Sequence, residues 1–321
     1  MPLLLLIAFL AMLAPHVQAQ TLLNQAISVQ VPEGRLHGSL LLPKTIEPLP
    51  VALLIAGSGP TDRNGNNPLG RNDSLKRLAQ ALAKHGIASL RYDKRGVGQS
   101  LATAPDERRL SVNDYVSDAA AWARLLKADP RFSDVVLIGH SEGALIASLA
   151  APSVDPAALI VLAGSGRRID LLLLEQLQGR LSPPLLATAH YLIDELNAGR
   201  PHEQVPDALQ VLFRPSVQPY LISLFQQDPA SAFAKTTAPA LIIQGTHDIQ
   251  VGQADAEALQ RAREDAELAL IPGMNHVLRI VSTDHDAQTA SYNHPELPIA
   301  HALTERISRF LRKHGVLPAS S

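Results

Sequence analysis

The sequence predicts an α/β protein: a mostly parallel central sheet flanked by helices, with an inserted helical segment. Short apolar runs rich in β-branched residues alternate with helical repeats of apolar residues along most of the 321 residues. This is the pattern of successive strand–helix–strand units. The strand-like runs are apolar throughout, as expected for strands covered by helices on both faces. From Arg167 to Lys235 the alternation stops, and only helical patterns separated by prolines remain.

The first half of the chain begins with a predicted hairpin. Strand-like residues 26–31 and 36–42 flank the turn 32–34, which indicates an antiparallel pair at an edge of the sheet. The elements expected after it are strand 51–56, helix 74–85, strand 87–92, helix 112–128, strand 135–138 and helix 144–151. Pro152 should end the last of these helices, because proline has no backbone N–H and disrupts a continuing helix.

The second half returns to the same alternation after the helical segment. Residues 159–163 form the next predicted strand. Four helical runs follow it: 171–178, 185–197, 208–213 and 220–227. The alternation then resumes with strand 240–244, helix 254–263, strand 267–271 and helix 299–314. We therefore expect a sheet-containing core from residues 20–165 and 236–321, interrupted by a helical cap of residues 166–235.

The composition excludes several classes of function. A formal net charge of −2 gives the chain no general attraction to nucleic acid or anionic lipid. An aromatic content of 4% disfavours surfaces on which bases stack. The chain has no cysteine, so disulfides, thiolate metal sites and a cysteine nucleophile are excluded. We expect no nucleic-acid partner, and the sequence leaves the oligomeric state open.

The beginning of the sequence predicts export. Residues 2–13 are almost wholly apolar, and the segment ends on the small residue Ala19, which is typical of a signal peptide cleaved after residue 19. No Lys or Arg precedes the apolar run, which departs from the usual pattern. An uncleaved anchor is the alternative, but the run is shorter than the roughly 20 residues that span a bilayer. We expect a periplasmic or extracellular protein with no stable membrane span after cleavage.

The most informative motif directly follows the predicted strand 135–138. Gly139-x-Ser141-x-Gly143 ends this strand and opens a helix of small and apolar residues. A serine on so sharp a strand-to-helix turn stands exposed above the sheet edge, at a helix N-terminus that favours negative charge. The motif alone also occurs by chance, with an ordinary turn serine as the alternative. The strand before it and the helix after it favour a nucleophile.

Two later residues complete the chemistry that Ser141 needs. A serine hydroxyl requires a base to accept its proton and a carboxylate to orient that base. In a parallel sheet these partners should follow later strands, in the order Ser, Asp, His. Asp248 follows strand 240–244 and His276 follows strand 267–271. We therefore predict Ser141, His276 and Asp248 as a catalytic triad.

Five segments match motifs of one enzyme superfamily. They are residues 56–66, 93–100, 139–143, 245–248 and 275–276. Through them the chain from about residue 26 to residue 317 resembles the serine α/β-hydrolases, near the branch of bacterial esterases and serine-aminopeptidase-like proteins. One departure is Ala56-Gly57, where the family often has His-Gly.

This resemblance implies the α/β-hydrolase fold, with residues 166–235 as its cap. It implies hydrolysis of a small-molecule carboxylic ester through an acyl-enzyme, with no cofactor and no metal. Thioesters, small amides and peptides are alternative substrates on the same fold. A non-catalytic binding protein is a further alternative, which an intact triad disfavours.

The oxyanion formed during acyl transfer needs two backbone donors. The residue after the nucleophile normally supplies one, and here it is Glu142. Ser58, which follows the predicted strand 51–56, occupies the place of the other donor in the family's motif. The alternative for residues 57–59 is a flexible glycine-rich turn.

Two further patterns imitate other binding sites. Residues 96–98 follow a strand as in a dinucleotide site, but Leu101 replaces the third glycine and no helix is expected there. Residues 62–66 imitate the start of a calcium loop, but Asn67 replaces its glycine and Asp73 its bidentate glutamate. We therefore interpret residues 62–73 as an ordered polar loop beside the site.

Polar neighbours of the predicted catalytic residues are expected to support the site. His140 and His247 should pack and form hydrogen bonds around the turns that carry Ser141 and Asp248. Asp93, Arg95 and Ser100 should form a hydrogen-bonded loop.

Overall fold

The computed structural model describes residues 22–319. These residues form a single central sheet. The predicted signal peptide, residues 1–19, lies outside the described residues. Within 22–319 the chain forms eight strands: β1 (Leu22–Val31), β2 (Gly34–Pro43), β3 (Leu49–Ile55), β4 (Ala88–Tyr92), β5 (Phe132–His140), β6 (Ala158–Leu162), β7 (Ala240–Gly245) and β8 (Glu267–Ile271).

The strands are arranged in the order β1-β2-β4-β3-β5-β6-β7-β8. β2 pairs antiparallel with β1 and β4, and the remaining neighbours are parallel. The predicted parallel sheet with an antiparallel hairpin at one edge is confirmed. Parallel strands all end at the same edge of the sheet, so the loops that follow them meet there.

Helices cover both faces of this sheet. Residues 22–319 contain α1 (Ser74–Lys84), α2 (Val112–Lys127), α3 (Glu142–Val154), α4 (Ile169–Leu177), α5 (Pro183–Asn197), α6 (Gln210–Phe213), α7 (Gln218–Phe225), α8 (Pro229–Ala234), α9 (Gln253–Ala262), α10 (His285–Ser291) and α11 (His301–Lys313). Successive strand residues point to opposite faces. Leu53 accordingly packs in the cluster that holds Trp122, and Leu54 packs in the cluster that holds Leu78.

The segment between β6 and β7 contains only helices, α4 to α8. Phe213 and Phe225 from this segment are fully buried in the same cluster as Leu145 of α3. Helix α8 packs directly against α3 and α9, so the end of the segment lies on the core. The division into a core and a cap at residues 166–235 stays a prediction.

One expected helix end was wrong, and several short helices were not expected. Helix α3 continues past Pro152 to Val154, and the Asp155 N–H still donates to the Ala151 carbonyl. Proline removes only its own N–H, and near the end of a helix that costs a single hydrogen bond. A short 3₁₀ helix at Gly98–Thr103 and helices α8 and α10 were not expected from the sequence. Each is too short to show an apolar helical repeat.

No helix within residues 22–319 is both long enough and apolar enough to span a membrane.

The loop after β4 is tied to α2 by a buried ion pair. The Arg95 guanidinium donates two hydrogen bonds to the Asp118 carboxylate, at 2.8 and 2.6 Å. Both side chains are buried, with 5% and 1% of their surfaces exposed. Asp93 in the same loop accepts hydrogen bonds from Arg63 and from the Gln99 N–H. The expected hydrogen-bonded loop is therefore present.

Arg95→Met should lower the free energy of unfolding by about 3–5 kcal/mol, because it leaves the Asp118 carboxylate buried without its partner. The matched control is Arg131→Met, which removes an equally short pair with Asp129 from an arginine side chain that is 43% exposed. That loss should stay below about 1 kcal/mol. Urea unfolding measures both values.

The double variant Arg95→Met/Asp118→Leu should recover much of the loss, because no charge then remains buried. An Arg95→Met protein within about 1 kcal/mol of the wild type would contradict the buried pair as the anchor of this loop.

Candidate active site

The carboxyl edge of the sheet brings together the residues that the sequence singled out. Ser58 follows β3, Ser141 follows β5, Asp248 follows β7 and His276 follows β8. Lys94, which the sequence analysis did not select, follows β4 at the same edge.

Ser141 occupies an unusual backbone conformation between β5 and α3. Its φ is 55° and its ψ is −125°, a region that non-glycine residues avoid. A Cβ at Gly139 would overlap the Gly143 carbonyl, and a Cβ at Gly143 would overlap the Ile55 carbonyl. Both glycines are therefore required by close backbone contacts, and they allow the turn to raise Ser141 above the edge.

Asp248 and His276 form a direct pair. The His276 Nδ1 lies 2.8 Å from Asp248 Oδ2, and the two side chains are only 6% and 1% exposed. Since an ionised carboxylate only accepts, Nδ1 carries the proton and donates it. This leaves Nε2 as the imidazole atom free to accept a proton. Gly245 permits the approach of the two loops, because a Cβ there would overlap the Met274 carbonyl.

The Asp248 carboxylate is fully satisfied by hydrogen bonds. Oδ1 accepts from the backbone N–H groups of Gln250 and Val251, and Oδ2 accepts from Gln244 as well as from His276. Burial alone would raise the pKa of Asp248, but His276 and these donors outweigh it and lower the pKa. The residue therefore remains a carboxylate, as the orientation of His276 requires.

His140 supports His276 from the adjacent loop. Its Nε2 donates to the His276 carbonyl at 2.8 Å, and the two imidazole rings lie 4.9 Å apart. Burial lowers the pKa of His140 to about 4, with the neighbouring His276 adding to the effect. A neutral His140 can donate this hydrogen bond without placing a positive charge beside His276. His247 similarly bonds the Val281 carbonyl at 2.7 Å, so both histidines pack around the turns as expected.

The loop after β3 lies directly against Ser141. A Cβ placed on Gly57 would lie 3.1 Å from the Ser141 Cβ. Within residues 22–319, the backbone N–H groups of Ser58 and Glu142 donate to no protein acceptor, and the Ser141 hydroxyl makes no hydrogen bond to another side chain. Two free donors and one free hydroxyl therefore meet at this point of the sheet edge.

A buried polar cluster adjoins Ser141. The Tyr220 hydroxyl donates to Glu142 Oε1 at 2.8 Å, and its ring packs edge-on against Tyr115 at 5.4 Å. The Lys94 Nζ lies 5.3 Å from the centre of the Tyr115 ring. Sequence reasoning missed this cluster, since Tyr220 and Glu142 lie 78 positions apart. The adjacency of Glu142 to Ser141 was its only sequence signal.

The glycines at 96–98 and the acidic loop beginning at residue 62, which resemble a dinucleotide site and a calcium loop, have structural explanations. A Cβ at Gly98 would overlap the Asp93 carboxylate, so this glycine serves the loop. The Asp62 carboxylate accepts from the N–H groups of Asn64 and Asn66, and Asn66 in turn donates to Asp73. Among the described residues, no group of three or more His, Asp or Glu side chains could hold a metal ion. Residues 62–73 form an ordered polar loop.

An eight-stranded, mostly parallel sheet covered by helices on both faces is the fold of the α/β-hydrolases. The sequence matches the family described as serine aminopeptidase, S33, over residues 71–280. The chain belongs to this family.

Comparison with known proteins agrees with this assignment. The chain is similar to esterase EstD of Thermotoga maritima, with 29% identity over 247 residues, 76% of this chain and 58% of the relative. The chain thus spans little more than half the length of that relative. Among solved structures, it resembles Est1E of Butyrivibrio proteoclasticus (TM-score 0.59, 21% identity, 90% and 98% of the two chains). It also resembles the α/β-hydrolase GrgF of a Penicillium species (TM-score 0.58, 20% identity, 91% and 98%). At these identities the structures establish the fold.

The buried neutral state of His140 predicts a pH-dependent stability. Below its ordinary pKa of 6.5, an unfolded chain binds a proton that the folded chain excludes down to about pH 4. The free energy of unfolding should therefore fall as the pH drops through this window, by roughly 3 kcal/mol from this group.

His140→Gln should remove this part of the pH dependence. The control is His301→Gln, which changes a histidine side chain that is 87% exposed. Its free energy of unfolding should change with pH as that of the wild type does. Urea unfolding at pH 4.5 and pH 7 gives the comparison. Equal slopes for the wild type and His140→Gln would show that His140 is not held neutral.

Proposed function

We propose that the protein hydrolyses carboxylic esters of small molecules, with Ser141 as nucleophile, His276 as general base and acid, and Asp248 as its orienting carboxylate. The observation that carries this proposal is the buried pair of His276 and Asp248 at the same sheet edge as the strained Ser141. The similarity to an esterase of Thermotoga maritima supports it.

The geometry supports an acyl-transfer mechanism in two halves. Ser141 Oγ bonds to the acyl carbon as its proton passes to His276 Nε2, and Asp248 stabilises the imidazolium through Nδ1. The tetrahedral intermediate collapses, the bond from the acyl carbon to the alcohol oxygen breaks, and His276 gives the alcohol its proton. Water then attacks the acyl-enzyme with His276 again as base, which releases the acid and restores Ser141.

The oxyanion formed in each half needs preorganised donors. The free N–H groups of Ser58 and Glu142 lie on the two loops that meet at Ser141, and we assign both to the oxyanion hole. Glu142 opens α3, so its N–H has no acceptor within the helix and also benefits from the helix dipole.

The cap contributes the remaining wall of the site. We propose that residues 166–235 form this cap, supported by the hydrogen bonds from Tyr220 to Glu142 and from Gln176 to the Gln250 carbonyl. Leu173, Leu174 and Leu186 of α4 and α5 are partly buried apolar residues, which favours an apolar acyl or alcohol group.

The polar cluster favours esters over peptides with a free N-terminus. An aminopeptidase needs a carboxylate in the site to pair with the α-ammonium of its substrate. Glu142 is the carboxylate next to the nucleophile, but it is buried, bonded to Tyr220 and faces the charge of Lys94.

Export to the periplasm or beyond also stays a proposal, based on the apolar residues 2–13 and on Ala19.

A p-nitrophenyl ester series of increasing acyl length, run beside aminoacyl anilides, tests this proposal. We expect ester hydrolysis by the wild type and a kcat lower by at least about a thousand-fold in Ser141→Ala, because only binding and the oxyanion hole then remain. Ser153→Ala alters an exposed serine of the same helix and should retain wild-type turnover.

Hydrolysis of anilides but not esters would overturn the ester assignment and favour a peptidase. A Ser141→Ala enzyme that keeps more than about a tenth of wild-type kcat would show that another group is the nucleophile.

A further inference from the structure

The side chain of Lys94 reaches from the end of β4 to the loop that carries Ser58. Its Nζ donates a hydrogen bond of 2.5 Å to the Gly57 carbonyl. The residue is only 3% exposed, so this ammonium is withdrawn from water. Burying a charged group is costly unless the charge is compensated. Burial lowers the pKa of Lys94, and the charge of Glu142 opposes this shift. The Gly57 carbonyl and the face of Tyr115 also favour the ammonium form.

The acceptor of this hydrogen bond belongs to a particular peptide group. The Gly57 carbonyl and the Ser58 N–H are the two ends of one peptide unit, and residues 22–319 contain no cis peptide bond. In a trans peptide the C=O and the N–H point in opposite directions. With its carbonyl aimed at Lys94, this unit directs the Ser58 N–H away from Lys94, and Ser58 itself is exposed.

Gly57 has little other means of fixing this orientation. A glycine turn can rotate its peptide planes at low cost, and a rotated plane would turn the carbonyl toward the substrate oxygen. Within residues 22–319 the Gly57 carbonyl accepts from Lys94, and the Ser58 N–H donates to no protein group. The ammonium is thus the group that restrains this peptide plane.

We propose that Lys94 is a positioning residue for the oxyanion hole: it fixes and polarises the Gly57–Ser58 peptide so that the Ser58 N–H faces the oxyanion. A cationic donor on the carbonyl oxygen draws electron density through the peptide and strengthens its N–H as a donor. Lys94 itself touches neither the substrate nor the reacting atoms. The inference rests on the proposed ester hydrolysis.

A residue that positions an oxyanion donor affects the transition state, whereas a residue that only stabilises the fold does not. The kinetics of Lys94 variants therefore distinguish the two roles. Lys94→Met should lower kcat by about ten- to a hundred-fold, less than the loss of a whole oxyanion donor, and should leave KM within about three-fold. Lys94→Gln retains an N–H donor without the charge and should fall between Lys94→Met and the wild type.

A transition-state analogue gives a readout that general destabilisation would not change. When a methyl trifluoromethyl ketone binds, the Ser141 Oγ bonds to its carbonyl carbon as the hydroxyl proton passes to His276. The carbonyl π electrons move to the oxygen, which becomes an oxyanion in the hole. The inhibition constant of this ketone should rise in Lys94→Met by the same factor by which kcat/KM falls. The non-fluorinated ketone, which binds without a stable adduct, should bind equally well to both.

A double-variant cycle tests whether Lys94 acts through Ser58. Ser58→Pro removes the N–H, and in that background Lys94→Met should cost less than about two-fold more in kcat. Lys127→Met is the matched control, because the Lys127 Nζ also donates to a backbone carbonyl at 2.5 Å, that of Asp155, but at an exposed position. Its kinetics should equal those of the wild type.

Circular dichroism and thermal unfolding first establish which variants are folded, and Lys94→Gln gives the test if Lys94→Met does not fold. A folded variant with unchanged kcat and unchanged affinity for the fluorinated ketone would overturn the inference, as would a rise in KM alone. Full additivity with Ser58→Pro would also overturn it. If the wild type cleaves no ester and Ser141→Ala changes nothing, the proposed function fails, and this inference fails with it.

Discussion

The backbone of Ser141 is the constraint on which the rest of the site depends. A φ of 55° at a serine costs free energy, and it persists because the surrounding backbone leaves no alternative. The Ser141 N–H donates to the Leu162 carbonyl of β6, while Gly143 is pressed against the Ile55 carbonyl of β3. Two neighbouring strands thus fix the turn from both sides. The raised hydroxyl and the free Glu142 N–H both follow from this one local geometry.

The same turn also connects Ser141 to His276. His140 is the residue before Ser141, and its imidazole donates to the backbone of His276. Asp248 holds the other side of the His276 ring through Nδ1. His276 is therefore held by two hydrogen bonds: its carbonyl accepts from His140, and its Nδ1 donates to Asp248 in the loop after β7. Because these groups come from rigid strand ends, their positions need little rearrangement during the reaction.

The sequence predicted the features that follow from local pattern and topology. Apolar runs and helical repeats placed the strands, and the rule that parallel strands share a carboxyl edge brought Ser141, Asp248 and His276 together. Contacts between distant segments were beyond the sequence: Lys94 with Gly57, and Tyr220 with Glu142. A lysine after a strand has no periodic signal, and its burial depends on which side chains surround it. Helix α10 was missed for the related reason that it is too short and too polar for an apolar repeat.

The identity of the nucleophile is tested most directly by covalent labelling. A fluorophosphonate forms a stable phosphonyl ester with a serine that an adjacent base activates, and mass spectrometry of the digested protein locates it. We expect one label per chain, on the peptide that contains Ser141, and none in the Ser141→Ala variant. A folded protein that remains unlabelled, or a label on a different serine, would contradict Ser141 as the nucleophile.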